Sequence, residues 1–159
     1  MRHLPRRRRL EAKTDYKARL TLLSAGKPRL VLRRSNRYII AQLVKTNGAQ
    51  DTVIATATSK ELLNNGWPNE RAGSLKSKPA AYLTGLLLAV KVKGKVKEAI
   101  LDLGMYRNVH KSRLYAALKG ALDGGLSIPS REEVFPSHEI LEGNKEIHML
   151  SAKIKQVLQ

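Results

Sequence analysis

The chain contains no cysteine. That excludes a disulfide framework and any thiolate metal site, and it fits a reducing compartment. Long apolar runs are missing too. The longest, Leu86 to Val90, falls far short of the ~20 residues a membrane helix needs. The start, MRHLPRRRRLEAK, is basic but has no apolar stretch behind it, so a secretory signal is not expected. Glu11, Asp15 and the lack of early serine argue against a transit peptide. Aromatic residues are scarce: one Trp, one Phe and five Tyr. A surface that stacks successive bases on aromatic rings is therefore poorly provided for.

Motifs for catalysis are also lacking. No G-x-x-x-x-G-K-[ST] or G-x-G-x-x-G run signals a phosphate-cradling loop. The four histidines, His3, His110, His138 and His148, are scattered without metal-ligand spacing. No cofactor is expected, and no small-molecule substrate or membrane partner.

What the chain has is positive charge, unevenly placed. Its formal net charge is +17 over 159 residues. Residues 1–37 hold 13 Lys and Arg against Glu11 and Asp15, and residues 38–97 hold nine against three acids. Residues 98–159 hold eight of each sign. The basic half repels itself and calls for a polyanion, whereas the balanced half can fold unaided. Nucleic acid is the usual polyanion of that size. With few aromatics, a folded RNA or a duplex held through phosphate and sugar fits best. Hydrophobic content of 42% is enough for one domain with a core.

Local patterns predict the elements. Residues 1–13 form a basic arm, disordered when alone, because Arg6 to Arg9 repel one another. Thr14 is placed to cap a helix running to Ala25, with Gly26 as a left-handed stop. Tyr16, Leu20 and Leu23 make a narrow stripe on it. RLVLR (29–33) and YIIAQLV (38–44) are strands joined by the turn Arg34-Ser35-Asn36-Arg37. Asn47-Gly48 turns into a third strand, 52–58. Ser59 is placed to cap a short helix, and residues 66–78 form a loop long enough for a binding role. Pro79 opens a helix with Leu83, Leu86, Leu87 and Val90 on its buried face and Lys91, Lys93, Lys95 and Lys97 in its tail. Residues 98–103 form a strand, and the strand–helix–strand order implies parallel pairing with one of the first three. Ser112 is placed to cap a helix with Leu114, Ala117, Leu118, Ala121 and Leu122 on one face, stopped at Gly124-Gly125. A last helix covers about 144–158. The expected fold class is α/β (α+β). It is a mixed sheet of three antiparallel strands plus a parallel strand, with helices packed on it and a basic N-terminal arm. The divisions are arm 1–13, domain 14–130 and C-terminal extension 131–159.

Three constellations stand out. Asp102, near the end of the fourth strand, suggests a ribonuclease-H-like nuclease, for which only Asp51 and Asp123 are plausible companions. The plainer alternative is a structural acid paired with a neighbouring Arg or with backbone. The hairpin tip offers Arg33, Arg34, Ser35, Asn36 and Arg37 to phosphate or 2′-OH, against a turn that is merely solvated. Arg107, His110, Lys111, Ser112 and Arg113 precede a helix, where cations lose dipole energy, so a bound anion would explain them. The alternative is a loop that is simply basic.

RLVLRRSNRYIIAQLV (29–44), PAAYLTGLLLA (79–89) and LDLGMYRNVHKSRLYAALKGALDGGLSIP (101–129) resemble the universal large-subunit ribosomal protein eighteen family. The likeness runs from about residue 5 to 142 and is of the archaeal type. It implies a non-enzymatic, structural protein of the large subunit, located in the cytoplasm. That protein binds 5S ribosomal RNA and helps anchor it to the large ribosomal RNA in the central protuberance, beside neighbouring ribosomal proteins. Carried onto matching positions, it implies RNA contacts by Arg6, Arg7, Arg8, Arg9, Lys13, Tyr16, Lys17, Arg33, Ser35, Asn36, Arg37, Tyr38, Gln42, Arg107, Ser112, Arg113 and Lys119. The hairpin and loop clusters add Arg34 and Lys111. Archaeal relatives typically read Lys-Gly-Ser-Arg where this chain reads His110-Lys111-Ser112-Arg113, so loss of the Gly is expected to alter the loop path. Beyond residue 143 the resemblance stops. There Ile147, Leu150, Ile154 and Leu158 form a stripe that packs either on the domain or on a neighbouring protein. A free RNA-processing factor and a non-specific DNA-coating protein are the alternatives in function.

Overall fold

The computed structural model describes residue 4 and residues 6–48, 50–142 and 145–156. Strands β1 (Arg29–Arg34), β2 (Ile39–Asn47) and β3 (Gln50–Thr58) form an antiparallel meander. Strand β4 (Ile100–Asp102) joins β1 in parallel, so the sheet order is β3-β2-β1-β4. The mixed sheet follows the sequence expectation, and β1 is the parallel partner. Alternation does the sorting. Leu30, Leu32, Ile39, Ala41, Leu43 and Ala57 are fully buried in the core. Arg29, Val31 and Arg33 lie on the opposite face, in register with Val44, Gln42 and Ile40.

Among the described residues six α-helices complete the fold: α1 (Arg7–Leu10), α2 (Tyr16–Ser24), α3 (Lys78–Val92), α4 (Arg113–Asp123), α5 (His138–Glu142) and α6 (Lys145–Gln156). Helix α3 is central. It is buried nearly all round, from Ala80 to Leu86 and at Leu88, Ala89 and Val92, which exceeds the single apolar face its spacing predicts. Helix α4 presses on it, and two glycines allow the approach. A Cβ on Gly85 would lie 2.0 Å from the Ala117 carbonyl oxygen, and one on Gly120 2.0 Å from that of Tyr82. Helix α6 brings Ile147, Leu150 and Ile154 into the same core, so the C-terminal stripe packs on the domain. Leu158 lies outside the described residues.

Several caps differ from expectation. Asp15, not Thr14, caps α2: its carboxylate accepts from the Lys17 and Ala18 amides, and an ionised acceptor there also suits the helix dipole. Thr58, not Ser59, begins the 3₁₀ turn Ser59–Leu63, exchanging bonds with Glu61. Ser59 is buried and accepts from the Ile39 amide instead. Ser112 occupies the α4 cap position without a side-chain cap bond. Helix α3 ends at Val92 and Gly94 turns at φ +81°, so Lys95 and Lys97 lie beyond its tail.

Loop 66–78 is tethered rather than free. Trp67 is buried and donates its indole N–H to the Arg71 carbonyl at 2.9 Å, and Leu75 is buried as well. The basic arm, expected to lack structure, forms the single turn α1, with the side chains of residues 6–11 exposed.

Candidate nucleic-acid interface

The acids decide between nuclease and scaffold. Asp102 Oδ2 accepts from Arg29 Nη1 at 2.6 Å, and its other oxygen accepts from the Gly104 amide. Asp51 accepts from Arg29, Arg19 and Thr46 at 2.6–2.9 Å. Arg29 is 3% exposed, so the two carboxylates neutralise a buried cation, as a structural pair does. Burial pushes the Asp51 carboxyl up, but hydrogen bonds from Thr46, Arg19 and Arg29 and the Arg29 charge outweigh it and hold the group at about 2. Asp123 accepts from the Tyr82 hydroxyl and pairs with Lys119. Among the described residues no three His, Asp or Glu are grouped to hold a metal. Asp102 is thus the structural acid.

The cations are arranged differently. In the arm, Glu11 pairs with Arg7 and Lys13 on the surface. The Arg8 Nε donates to Thr14 at 3.0 Å, and the Arg6 guanidinium lies 4.6 Å from the centre of the Tyr16 ring. These contacts fold the arm back over α2. Lys17 is exposed on the same helix.

At the hairpin, Ser35 shapes the turn. Its hydroxyl donates to the Tyr38 carbonyl and accepts from the Tyr38 amide, at 3.0 and 2.9 Å. That leaves Arg34, Asn36 and Arg37 exposed at the tip. Lys76, from the tethered loop, donates to the Asn36 carbonyl at 3.3 Å. Tyr38 is half-buried against the core. Gln42 lies mid-sheet, bonded to Thr56 at 3.3 Å.

The loop from Leu103 to Ser112 leans on this hairpin. Arg33 is half-buried and reaches the Leu103 carbonyl at 3.4 Å. Gly104, at φ +59°, leaves room for it, since a Cβ there would sit 2.1 Å from the guanidinium. Tyr106 bonds Arg34 through its hydroxyl. In consequence two grooves of about 330 Å³ each adjoin. One is lined by Arg34, Tyr106, Arg107, Ser112 and Arg113, the other by Arg8, Lys13, Arg33, Met105 and Tyr106. Three segments that the sequence separates thus meet on one side of the domain. Among the described residues no carboxylate pairs with Arg8, Arg33, Arg34, Arg37, Arg107 or Arg113. Lys119 stands apart, paired with Asp123 and over the Phe135 ring, and Gln42 and Tyr38 lie away from the grooves. Sequence reasoning missed Lys76, Gly104 and Tyr106. The last two sit inside the string LDLGMYR, where a glycine and a tyrosine beside a basic residue were the available signal.

A family model described as "Ribosomal large subunit proteins 60S L5, and 50S L18" matches residues 2–99 and 93–131. The large ribosomal subunit protein uL18 of Korarchaeum cryptofilum is 51% identical over 138 residues, 86% of this chain and 69% of the relative. That of Methanoculleus marisnigri is 48% identical over 141 residues, covering 88% and 78%. That of Caldivirga maquilingensis is 44% identical over 152 residues, covering 94% and 71%. The chain belongs to the uL18 family. Lys111 stands where the resemblance places a glycine. Lys111 takes a left-handed conformation, φ +56°, which a glycine adopts without strain. His110 packs edge-on against Tyr115, ring centres 6.5 Å apart.

Proposed function

We propose that the protein is a structural, non-catalytic component of the large ribosomal subunit in the cytoplasm. It binds 5S ribosomal RNA and helps anchor it to the large ribosomal RNA in the central protuberance. Family membership supports the ribosomal assignment, since the relatives carry the name of a large-subunit protein. The observation that carries the RNA reading is the meeting of arm, hairpin and 103–113 loop around two adjoining grooves lined by Arg8, Lys13, Arg33, Arg34, Arg107 and Arg113. Lys13 pairs with Glu11, whereas the five arginines have no carboxylate partner among the described residues and are free to neutralise phosphate; such contacts release counterions and position a folded RNA. Arg7, Arg9, Arg37 and Lys111 extend the basic surface from the same three segments, and Lys17 extends it from α2. A non-specific DNA coat would need charge alone, whereas here Arg33 is half-buried beside Gly104 and the exposed Arg34 is tied to Tyr106.

Co-sedimentation tests the assignment. Tagged protein expressed in an archaeal host is expected to travel with the large subunit, and particles dissociated gently are expected to release it together with 5S RNA. Protein that stays in the unassembled fraction, or that leaves the subunit without 5S RNA, would refute it.

A further inference from the structure

Strand β4 is only three residues long, and its pairing with β1 stops at Val31↔Asp102. Beyond that point no strand among the described residues lies beside the outer edge of β1. The Tyr106 side chain occupies the gap. Its hydroxyl accepts from the Arg34 amide at 3.3 Å and donates to the Arg34 carbonyl at 2.8 Å. One hydroxyl thus meets both backbone groups of one residue, as a neighbouring strand would. The ring lies under the side chain of the same residue, with the Arg34 guanidinium 5.9 Å from its centre. Backbone and side chain of Arg34 are both held by Tyr106, and Arg107 follows directly in sequence.

We propose that Tyr106 is a positioning residue for RNA recognition. It acts through Arg34, fixing that guanidinium in the groove shared with Arg107 and Arg113. This inference rests on the RNA-binding reading above. A free arginine gives up rotamer freedom on being ordered. An arginine already stacked and anchored gives up less, and its direction is set before the RNA arrives. A phosphate contact by itself is insensitive to sequence and shape. A fixed spacing between Arg34, Arg107 and Arg113 selects RNAs whose phosphates match it. Tyr106 therefore contributes to discrimination, while charge count sets general affinity.

The test uses the full-length protein, Tyr106→Phe, Arg34→Ala and the double variant, with 5S ribosomal RNA and transfer RNA as probes across a salt series. The Phe ring keeps the packing and removes both hydrogen bonds. Tyr106→Phe is expected to weaken 5S binding about tenfold, because Arg34 keeps its charge but loses its pre-set position. It should leave transfer RNA binding within about twofold and the salt slope unchanged, because no charge is removed. Arg34→Ala is expected to lower the slope by about 0.7–0.9. In the Arg34→Ala background, Tyr106→Phe should have no further effect, since its action passes through the arginine. Additive effects in the double variant would make Tyr106 a direct contact and overturn the proposal. So would unchanged 5S binding in Tyr106→Phe, or a large fall in its melting temperature, which would make the hydroxyl a tie of the fold. If the wild-type protein shows no preference for 5S RNA, the RNA-binding reading itself fails, before any variant is compared.

Discussion

The Lys111 amide donates to the Val134 carbonyl at 2.8 Å while Lys111 stands at φ +56°. A lysine in that conformation carries strain of roughly 1 kcal/mol from its Cβ. The bond to Val134 ties the loop before α4 to the segment that follows it, and this helps hold the strained residue in place.

Lys111→Gly should therefore keep the loop and leave stability unchanged or raised by up to about 1 kcal/mol, since relief of strain is partly offset by chain entropy. Lys111→Val should lower it, because a β-branched residue tolerates positive φ poorly. Urea denaturation of the two variants checks this. A glycine variant more than about 1 kcal/mol less stable than wild type would mean the lysine side chain holds the loop.

The α3–α4 contact is the least forgiving part of the core. Gly85→Ala places a methyl against the Ala117 backbone, and backbone cannot move aside as a side chain can. The expected cost is at least about 3 kcal/mol, at the upper end of overpacking. Thermal denaturation should show a fall of many degrees, and a shift of only one or two would contradict the packing described.

Asp51 gives the fold an acid limit. Its carboxyl titrates lower in the folded chain than in the unfolded one, about 2 against 3.8. The stabilisation is therefore complete above the unfolded value and is lost as pH falls from about 4 towards 2. The side chain is 32% exposed, so screening reduces the contribution to roughly 1–2 kcal/mol. Asp51→Asn should destabilise the protein at pH 6 and close most of that gap near pH 2.5. A constant difference at both pH values would remove Asp51 from the ion-pair cluster.

The three antiparallel strands were legible in the sequence because each depends on local signals, whereas their register and the choice of β1 as partner of β4 were not. Alternation sets β1, β2 and β3, Ser35-Asn36 and Asn47-Gly48 set the turns, and arginine clusters announce themselves. The caps were less legible. Thr14 and Asp15 are adjacent and both able to cap, and only the path of the chain after the Arg8–Thr14 bond decides for Asp15. The role of Tyr106 depends on where β4 ends, a tertiary fact. The partner of Asp102 lies 73 residues away, so the sequence left scaffold and nuclease both open until Arg29 was placed between Asp51 and Asp102.

Charge at the hairpin tip is not needed for folding, because Arg34 and Arg37 are exposed and Ser35 closes the turn. Arg34→Ala with Arg37→Ala should cost about 1.5–3 kcal/mol of RNA affinity for each arginine–phosphate bond removed, with the melting temperature nearly unchanged. Deleting residues 1–13, which carry six Lys and Arg, should flatten the salt slope by several units. Melting curves and filter binding over a salt series separate the two effects. A large fall in melting temperature with normal binding would make the tip arginines structural.

Selective binding of 5S RNA by a pre-ordered basic surface, as proposed above, is measured by competition. Labelled 5S ribosomal RNA is held by the wild-type protein at moderate salt and challenged with unlabelled 5S RNA, transfer RNA or duplex DNA. Unlabelled 5S RNA should compete at concentrations about a hundredfold or more below the other two, a preference of roughly 3 kcal/mol. Equal competition by all three would contradict the account and leave a protein that binds polyanions by charge alone.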